Sequence, residues 1–219
     1  MIRILIADDH GILRAGLKHI LSETNDIVVA GEASDGNETI AQVRNGDWDA
    51  VVLDLSMPGR SGIELIKQIK AEYPKLAILV LSMHKEDIYA VRALKAGASG
   101  YLCKDNAETQ LAEAIRKVAA GGLFISTSVA ERFTRETLTG SIASESSHTR
   151  LTDREYQIFL LIVGGASVTQ IANQLNLSVK TVSTHKASIL SKMGVSSTAE
   201  LVRYAIHHGL IEASDGIHD

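Results

Sequence analysis

The feature that most constrains the fold of this chain is an alternation, over residues 1–122, of short apolar runs with stretches of helical spacing. The runs are rich in Ile, Val, Leu and Ala and lack polar alternation, which is typical of strands buried on both faces of a sheet. They span Ile2–Ala7, Ile27–Ala33, residues 50–55, Ala77–Ser82 and residues 99–103. Five strand–helix alternations predict an α/β, flavodoxin-like domain: a five-stranded parallel sheet covered by helices on both sides.

The residue pattern changes after residue 122. Residues 123–148 are predicted to be a linker, with a short helix carrying Val129, Phe133 and Leu138, and residues 139–150 are Ser/Thr-rich. From Leu151 the pattern is helical and contains no proline, which predicts a small all-α domain over residues 149–211. Residues 212–219 form an acidic tail.

Charge is distributed unevenly along the chain. The formal net charge is −4, yet residues 148–211 carry six basic and three acidic groups. The positive segment therefore coincides with the predicted helical domain, which suits a nucleic-acid partner. A single cysteine, Cys103, excludes an internal disulfide and fits a reducing cytoplasm. The N-terminal residues do not resemble a signal peptide and no stretch approaches a membrane span, so we expect a cytoplasmic protein with no membrane segment.

Polar residues stand at the carboxyl ends of the predicted strands. Asp8 and Asp9 follow the first strand, Asp54 ends the apolar part of the third, Ser82 ends the fourth and Lys104 follows the fifth. Because parallel strands end at the same edge of a sheet, we expect these side chains to converge on one pocket. The alternative is that each is only a polar group that caps a strand or helix.

This set of residues suggests phosphoryl transfer. Three neighbouring carboxylates repel one another unless a cation joins them, and a hard set of oxygen ligands suits Mg²⁺. Asp54 can be the oxygen nucleophile while Asp8 and Asp9 hold the metal, which also touches Asp54. Lys104 can pair with a phosphoryl oxygen, and Ser82 can donate a hydrogen bond to the phosphoryl group.

Residues 1–122 carry a set of short motifs: Asp8-Asp9, Asp54, Met57-Pro58-Gly59, Gly62, Ser82, Gly97-Ala98, Tyr101 and Lys104. With this set they resemble the receiver domain of two-component response regulators. The resemblance implies that a partner histidine kinase phosphorylates Asp54 with Mg²⁺, and that the backbone carbonyl of Ser56 is a further metal ligand. Ser82 would then move toward the phosphoryl group and Tyr101 would rotate inward. The alternative for Tyr101 is an ordinary half-buried strand aromatic.

One departure from that family concerns the peptide bond after Lys104. Receivers commonly have Lys-Pro there with a cis bond, whereas this chain has Lys104-Asp105. A cis bond before a non-proline residue costs roughly 2.5–4 kcal/mol. The sequence leaves the isomer open.

The C-terminal segment carries helix start and stop signals. Thr152 with Glu155 three residues later predicts a capping box, and Gly164 ends the helix that follows. Ser167 and Ser178 are predicted to cap a short second helix and a third helix. A short helix, a tight turn and a capped helix indicate a helix-turn-helix.

The third of these helices separates into faces. Val182, Ile189 and Met193 are spaced to point toward the core. The outward side is small and polar, which lets a helix lie close in a major groove, and lysines on its rim suit phosphates. The alternative is an ordinary amphipathic surface helix. The outward residues are Lys180, Ser183, Thr184, Ala187 and Ser191, and the rim lysines are Lys180, Lys186 and Lys192.

Residues 149–211 resemble the LuxR-type helix-turn-helix domain, and the two halves together resemble the NarL/FixJ group of response regulators. The resemblance implies that Ser183, Thr184 and Ala187 face bases. It places Lys180, Thr181, His185 and Lys186 near the DNA backbone. The last helix would pair two output domains on a repeated half-site. Thr198 stands where the family usually has Arg, which removes one cation near that helix.

We therefore expect a response regulator, not an enzyme, in which phosphorylation of Asp54 controls DNA binding and transcription. Expected partners are a sensor histidine kinase, double-stranded DNA and a second copy of the chain in the active state, with RNA polymerase a further candidate. One alternative is a phosphohydrolase with an aspartyl-phosphate intermediate, but such enzymes usually carry two Asp two residues apart near the first strand. Another is a phosphorylation-independent DNA binder with a vestigial receiver, against which the intact pocket argues.

Overall fold

The computed structural model describes residues 1–57, 62–82, 87–138, 147–208 and 210–211. The chain divides into two compact units, residues 1–140 and 141–219. Pro58 and Gly59, the Ser/Thr-rich residues 139–146 and the acidic tail at 212–219 lie outside the described residues.

In the N-terminal unit, strands and helices alternate as the sequence predicts. The strands are β1 (Ile2–Ala7), β2 (Ile27–Ala33), β3 (Ala50–Asp54), β4 (Ala77–Ser82) and β5 (Gly100–Cys103). The helices are α1 (Gly11–Ser22), α2 (Gly36–Asn45), α3 (Gly62–Glu72), α4 (Asp87–Lys95), α5 (Ala107–Ala119) and α6 (Thr127–Leu138). Strand β3 ends at Asp54 and β5 begins at Gly100, so each is one residue shorter than its predicted run.

The five strands form one parallel sheet in the order β2-β1-β3-β4-β5. Its central strands are buried, as their continuous apolar runs require. Ile4 and Val52 of the sheet share one apolar cluster with Leu17 of α1 and Ile115 of α5. This packing fixes the carboxyl ends of β1 and β3, from which the acidic residues project.

The segment after α5, which lies within the predicted linker, is part of the N-terminal unit. Phe124 adds an isolated bridge to the β5 edge, opposite Gly100. The Tyr101 N–H donates to the Phe124 carbonyl at 2.8 Å, and the Phe124 N–H donates to the Ser99 carbonyl at 3.1 Å. Val129 of α6 is also buried. The segment is held because it pairs backbone groups of an edge strand and buries apolar surface.

The C-terminal unit is helical in its described residues, and its caps confirm the sequence prediction. Thr152 and Glu155 form a capping box at the start of α7, and Ser167 caps α8. The Ser178 side chain caps α9 by accepting the Thr181 N–H at 3.0 Å. The helices are α7 (Asp153–Val163), α8 (Val168–Gln174), α9 (Val179–Met193) and α10 (Thr198–His207).

A tight turn joins α8 to α9. Asn176 has a left-handed backbone with φ of 52°, which asparagine tolerates better than most residues. The Leu177 N–H donates to the Ala172 carbonyl at 2.9 Å and closes the end of α8. Val182 and Ile189 of α9 are fully buried, as their spacing predicts. Helices α8 and α9 therefore form the predicted helix-turn-helix.

The C-terminal end of the predicted linker also carries regular structure. Ser147–Arg150 forms a short 3₁₀ helix, and His148 is buried within the C-terminal unit. Its Nδ1 lies 2.8 Å from the Tyr204 hydroxyl, and its ring packs edge-on against that of Tyr204. The aromatic ring of His148 thus contributes to the core of this unit.

Candidate functional site

The carboxyl edge of the sheet brings three charged side chains into a buried cluster. Asp54 ends β3, Asp8 follows β1 and Lys104 follows β5. Lys104 Nζ donates to Asp8 Oδ2 at 2.7 Å and to Asp54 Oδ2 at 2.8 Å. Only 2% of the Asp8 side chain, 1% of Asp54 and 6% of Lys104 are exposed. These ion pairs are therefore shielded from solvent and from screening by salt.

Backbone groups hold the two carboxylates from the other side. The Ser56 N–H donates to Asp54 Oδ1 at 3.0 Å, so among the described residues both oxygens of Asp54 have a donor. The His10 N–H donates to Asp8 Oδ1 at 2.8 Å. The Lys104–Asp105 peptide bond, whose isomer the sequence left open, is trans. Strand ends and the turns after them thus fix the orientation of both carboxylates.

Burial and charge compete within this cluster. Burial raises the pKa of Asp54, and the Lys104 ammonium and the Ser56 N–H offset that only in part. Burial by itself would lower the pKa of Lys104, but Asp54 and Asp8 outweigh it, so the pKa of Lys104 lies above its ordinary value. The ammonium therefore stays charged beside a carboxylate whose ionised form is disfavoured by burial.

The acidic residues form a set that can hold a cation. Asp8, Asp9, His10 and Asp54 each offer one ligand atom, and these atoms lie within 4.8 Å of one another. His10 Nδ1 is 2.8 Å from Asp9 Oδ1 and 3.3 Å from Asp8 Oδ1. Three carboxylates exceed the single charge of Lys104, so the donor set fits a hard divalent cation such as Mg²⁺.

Sequence reasoning missed His10, although its position directly after Asp8-Asp9 was a signal. For Ser56, the contact that the structure describes is made by its N–H, and metal binding by its carbonyl stays a prediction.

Ser82 and Tyr101 lie on the neighbouring strands. Ser82 is buried at the end of β4, at the carboxyl edge that also carries Asp54. Tyr101 lies on β5, is 8% exposed and lines a cavity of about 560 Å³. Phe124 and Val129 line the same cavity. Tyr101 is therefore buried, and the segment that surrounds it was absent from the predicted site.

The outward face of α9 is exposed as predicted. Lys180, Ser183, Thr184 and Ala187 are exposed, as is Ser191, whereas Thr181, His185 and Lys186 are half-buried. The Ser183 hydroxyl donates to the Val179 carbonyl at 2.9 Å and the Thr184 hydroxyl to the Lys180 carbonyl at 3.0 Å. Both hydroxyls are thus held against the helix backbone, so these two side chains project little from the helix between Lys180 and Lys186.

Lys192 makes a contact that its predicted role did not include. Its Nζ lies 2.6 Å from Glu155 Oε2 and 2.8 Å from Oε1, and the Ser188 hydroxyl donates to Glu155 Oε1 at 2.6 Å. The pair joins α9 to the start of α7, so a carboxylate of the same unit already engages the ammonium. The sequence did not predict this contact, because Glu155 and Lys192 are 37 positions apart.

The described part of the chain contains no helix with the length and apolar composition needed to cross a bilayer. A parallel sheet with a buried Asp–Lys cluster at its carboxyl edge, in a chain that also carries a capped helix-turn-helix, defines the class of receiver-type regulators with a DNA-binding output domain.

Comparison with known proteins gives the same class. The response regulator receiver domain family matches residues 4–116, and the luxR family of bacterial regulatory proteins matches residues 149–205. The chain is 37% identical over 213 residues to the response regulator UvrY of Escherichia coli K12, which covers 97% of both proteins. It is also 37% identical over 216 residues to the oxygen regulatory protein NreC of Staphylococcus epidermidis, covering 96% of this chain and 99% of NreC.

Solved structures of RcsB from Salmonella are similar along most of the chain. RcsB from Salmonella enterica serovar Typhimurium, bound to promoter rprA in the presence of the phosphomimetic BeF₃⁻, is 31% identical with a TM-score of 0.62. That match covers 93% of this chain and 98% of RcsB. The chain therefore belongs to the response regulators of the NarL/FixJ group, with a receiver domain and a LuxR-type helix-turn-helix, which confirms the family and fold expected from sequence.

Proposed function

We propose that this response regulator accepts a phosphoryl group on Asp54 from a partner histidine kinase, and that phosphorylation controls its binding to DNA. The observation that carries the proposal is the buried pairing of Asp54 with Lys104, beside Asp8, at the carboxyl edge of the sheet. A cluster that served only to stabilise the fold would gain little from burying three charges, because desolvation costs several kcal/mol per ion. The arrangement is better explained by chemistry at Asp54.

In the proposed transfer, an Asp54 carboxylate oxygen forms a bond to phosphorus while the bond from phosphorus to the kinase histidine nitrogen breaks. The Ser56 N–H orients one carboxylate oxygen. The Lys104 ammonium already pairs with the other oxygen and can pair with a phosphoryl oxygen once the acyl phosphate forms. Asp8, Asp9, Asp54 and the Ser56 carbonyl would hold Mg²⁺, which supplies positive charge to the phosphoryl oxygens.

The proposed switch uses Ser82 and Tyr101. Ser82 would donate a hydrogen bond to the phosphoryl group, and the space it leaves would admit the Tyr101 ring. The Tyr101 backbone is already bonded to Phe124, the residue that leads into α6. Movement of β5 at Tyr101 would therefore reach the segment that leaves the receiver domain.

The proposed DNA surface is the outward face of α9. Ser183, Thr184 and Ala187 would face bases, and Lys180 and Lys186 would contact phosphates together with Thr181 and His185. Lys192 leaves this set in our proposal, because its ammonium is held by Glu155. The RcsB structures on DNA, which include two dimers bound to two parallel DNAs, support this assignment by similarity.

The proposed organisation has a receiver domain near residues 1–122 extended by the Phe124 edge segment, a linker, and an output domain that begins by Ser147 and runs to about 211. The acidic tail occupies residues 212–219. A homodimer would form in the active state, RNA polymerase is a candidate partner at the promoter, and the cytoplasm is the compartment in which these partners meet.

Labelling tests the phosphoryl acceptor. The full-length protein is treated with Mg²⁺ and a small radiolabelled phosphodonor, alongside the Asp54→Asn and Asp9→Asn variants. We expect acid-stable, base-labile label on the wild type, none on Asp54→Asn and less on Asp9→Asn. No label on the wild type, or equal label on Asp54→Asn, would refute the assignment.

DNA affinity and mass test the output. We expect phosphodonor treatment to raise the affinity of the wild type for its selected duplex and to increase the dimer fraction, with no effect on Asp54→Asn. Unchanged affinity and mass after confirmed labelling would contradict phosphorylation control while leaving the acceptor assignment intact.

A further inference from the structure

The recognition helix begins with an exposed apolar side chain that the proposed DNA contacts do not include. Val179 is the first residue of α9 and is 49% exposed. The core-facing residues of α9, such as Val182 and Ile189, are fully buried. Val179 therefore contributes little to the core, and its apolar surface needs another explanation.

Val179 continues the outward stripe of the helix. Val179, Ser183 and Ala187 are spaced four residues apart, which places them on one face, and all three are exposed. The Ser183 hydroxyl donates to the Val179 carbonyl, so its hydrogen is turned toward the helix. The stripe thus presents apolar groups and a hydroxyl acceptor, with no charged side chain.

This chemistry matches one feature of the major groove. Arg or Lys usually recognises guanine and Asn or Gln recognises adenine, whereas apolar side chains contact the 5-methyl group of thymine. The N-terminal residues of a recognition helix are those that reach base edges. A valine and an alanine on that stripe favour thymine methyl groups over the guanine edge.

We propose that Val179 is a specificity-determining residue that packs against a thymine 5-methyl group, so that the stripe of Val179, Ser183 and Ala187 selects A·T pairs. The proposal rests on the proposed entry of α9 into the major groove and adds which base it recognises there. Duplex DNA is the occupant that fits, because Lys180 and Lys186 flank the stripe with positive charge.

A thymine-to-uracil cycle tests the contact, because this change removes only the methyl group. The phosphodonor-treated full-length protein first selects its preferred duplex from a random library. Affinity is then measured for that duplex and for versions with deoxyuridine at single thymine positions, using wild type and Val179→Ala. Leu123→Ala is the matched control, because Leu123 is a similarly exposed apolar residue at 43% exposure in the other unit.

At one thymine position in each half-site, we expect deoxyuridine to weaken wild-type binding by about fourfold, the effect of burying one methyl group. Val179→Ala should weaken binding to the thymine duplex by a similar factor and respond little to deoxyuridine at that position. Leu123→Ala should bind both duplexes as the wild type does.

If Val179→Ala and deoxyuridine changed DNA affinity independently of each other at every thymine position, the inference would be overturned. Sequence-selective DNA binding in that same experiment would still support the proposed function. If Val179→Ala bound DNA with unchanged affinity but no longer supported transcription, Val179 would contact a protein partner, and the inferred thymine contact would be wrong. Absence of any selected duplex would instead contradict the proposed function.

Discussion

Glu155 gives the sharpest stability prediction, because five hydrogen bonds converge on its carboxylate. Lys192 donates to both oxygens, Ser188 donates to Oε1, and the backbone N–H and hydroxyl of Thr152 donate to Oε2. Burial opposes ionisation, but these donors outweigh it and lower the pKa of Glu155 from 4.5 to about 2. The perturbation is Glu155→Gln, which keeps the shape and removes the charge.

The magnitude follows from that pKa. A depression from 4.5 to about 2 corresponds to about 3 kcal/mol of stability, and the Glu155 side chain is only 6% exposed, so screening reduces it little. A lowered pKa contributes fully above pH 4.5 and is lost as the pH falls toward 2. In a domain of this size, about 3 kcal/mol lowers the melting temperature by roughly 12–24 °C.

Thermal unfolding of the full-length protein separates the two units. The single tryptophan, Trp48, reports on the N-terminal unit by fluorescence, and circular dichroism reports on the helices of both. We expect Glu155→Gln to lower the transition seen by circular dichroism alone and to leave the Trp48 transition unchanged. The difference from wild type should fall to less than half between pH 7 and pH 3. A shift below about 5 °C at pH 7, or one independent of pH, would refute the reasoning.

Two further predictions concern DNA binding and packing. Lys186→Ala should weaken binding to every DNA sequence and reduce the slope of log affinity against log salt concentration by about 1, whereas Ser183→Ala should change which sites are preferred. Fluorescence anisotropy across salt concentrations measures both effects. Identical behaviour of the two variants would contradict the assignment of Lys186 to phosphates and Ser183 to bases. Gly62→Ala should lower the temperature of the unfolding transition reported by Trp48, because the new Cβ would lie 2.6 Å from Leu55 Cα. Gly16→Ala is the control: its Cβ would have no atom within 4 Å, so the same transition temperature should stay unchanged or rise. A Gly62→Ala transition at or above that of Gly16→Ala would contradict the close packing.

Features set by local physics could be predicted from the sequence. The apolar runs predicted all five strands, because a strand buried on both faces needs a continuous apolar run. The Thr152, Ser167 and Ser178 caps were predicted because a short polar side chain before an apolar helix satisfies free backbone N–H groups. The shared edge of parallel strands predicted that Asp54 and Lys104 would meet.

Contacts between distant segments could not be predicted in this way. Phe124 lies in the predicted linker, after the strand–helix alternation ends, yet it pairs with the open edge at Tyr101. His148 lies in the Ser/Thr-rich part of the same linker, yet it packs against Tyr204. In both cases the partner, rather than the local sequence, determines whether the residue is ordered.

The sequence by itself determined the class of this protein: a parallel α/β receiver with an Asp–Lys pocket, followed by a helix-turn-helix. Only the tertiary structure decided which charged side chains pair with one another within the receiver and the helix-turn-helix domain. It placed Lys104 between Asp8 and Asp54, and it paired Lys192 of α9 with Glu155 of α7. The physical reason is that periodicity and capping act within a few residues, whereas the partner of a charge depends on which chain segments packing brings within about 3 Å.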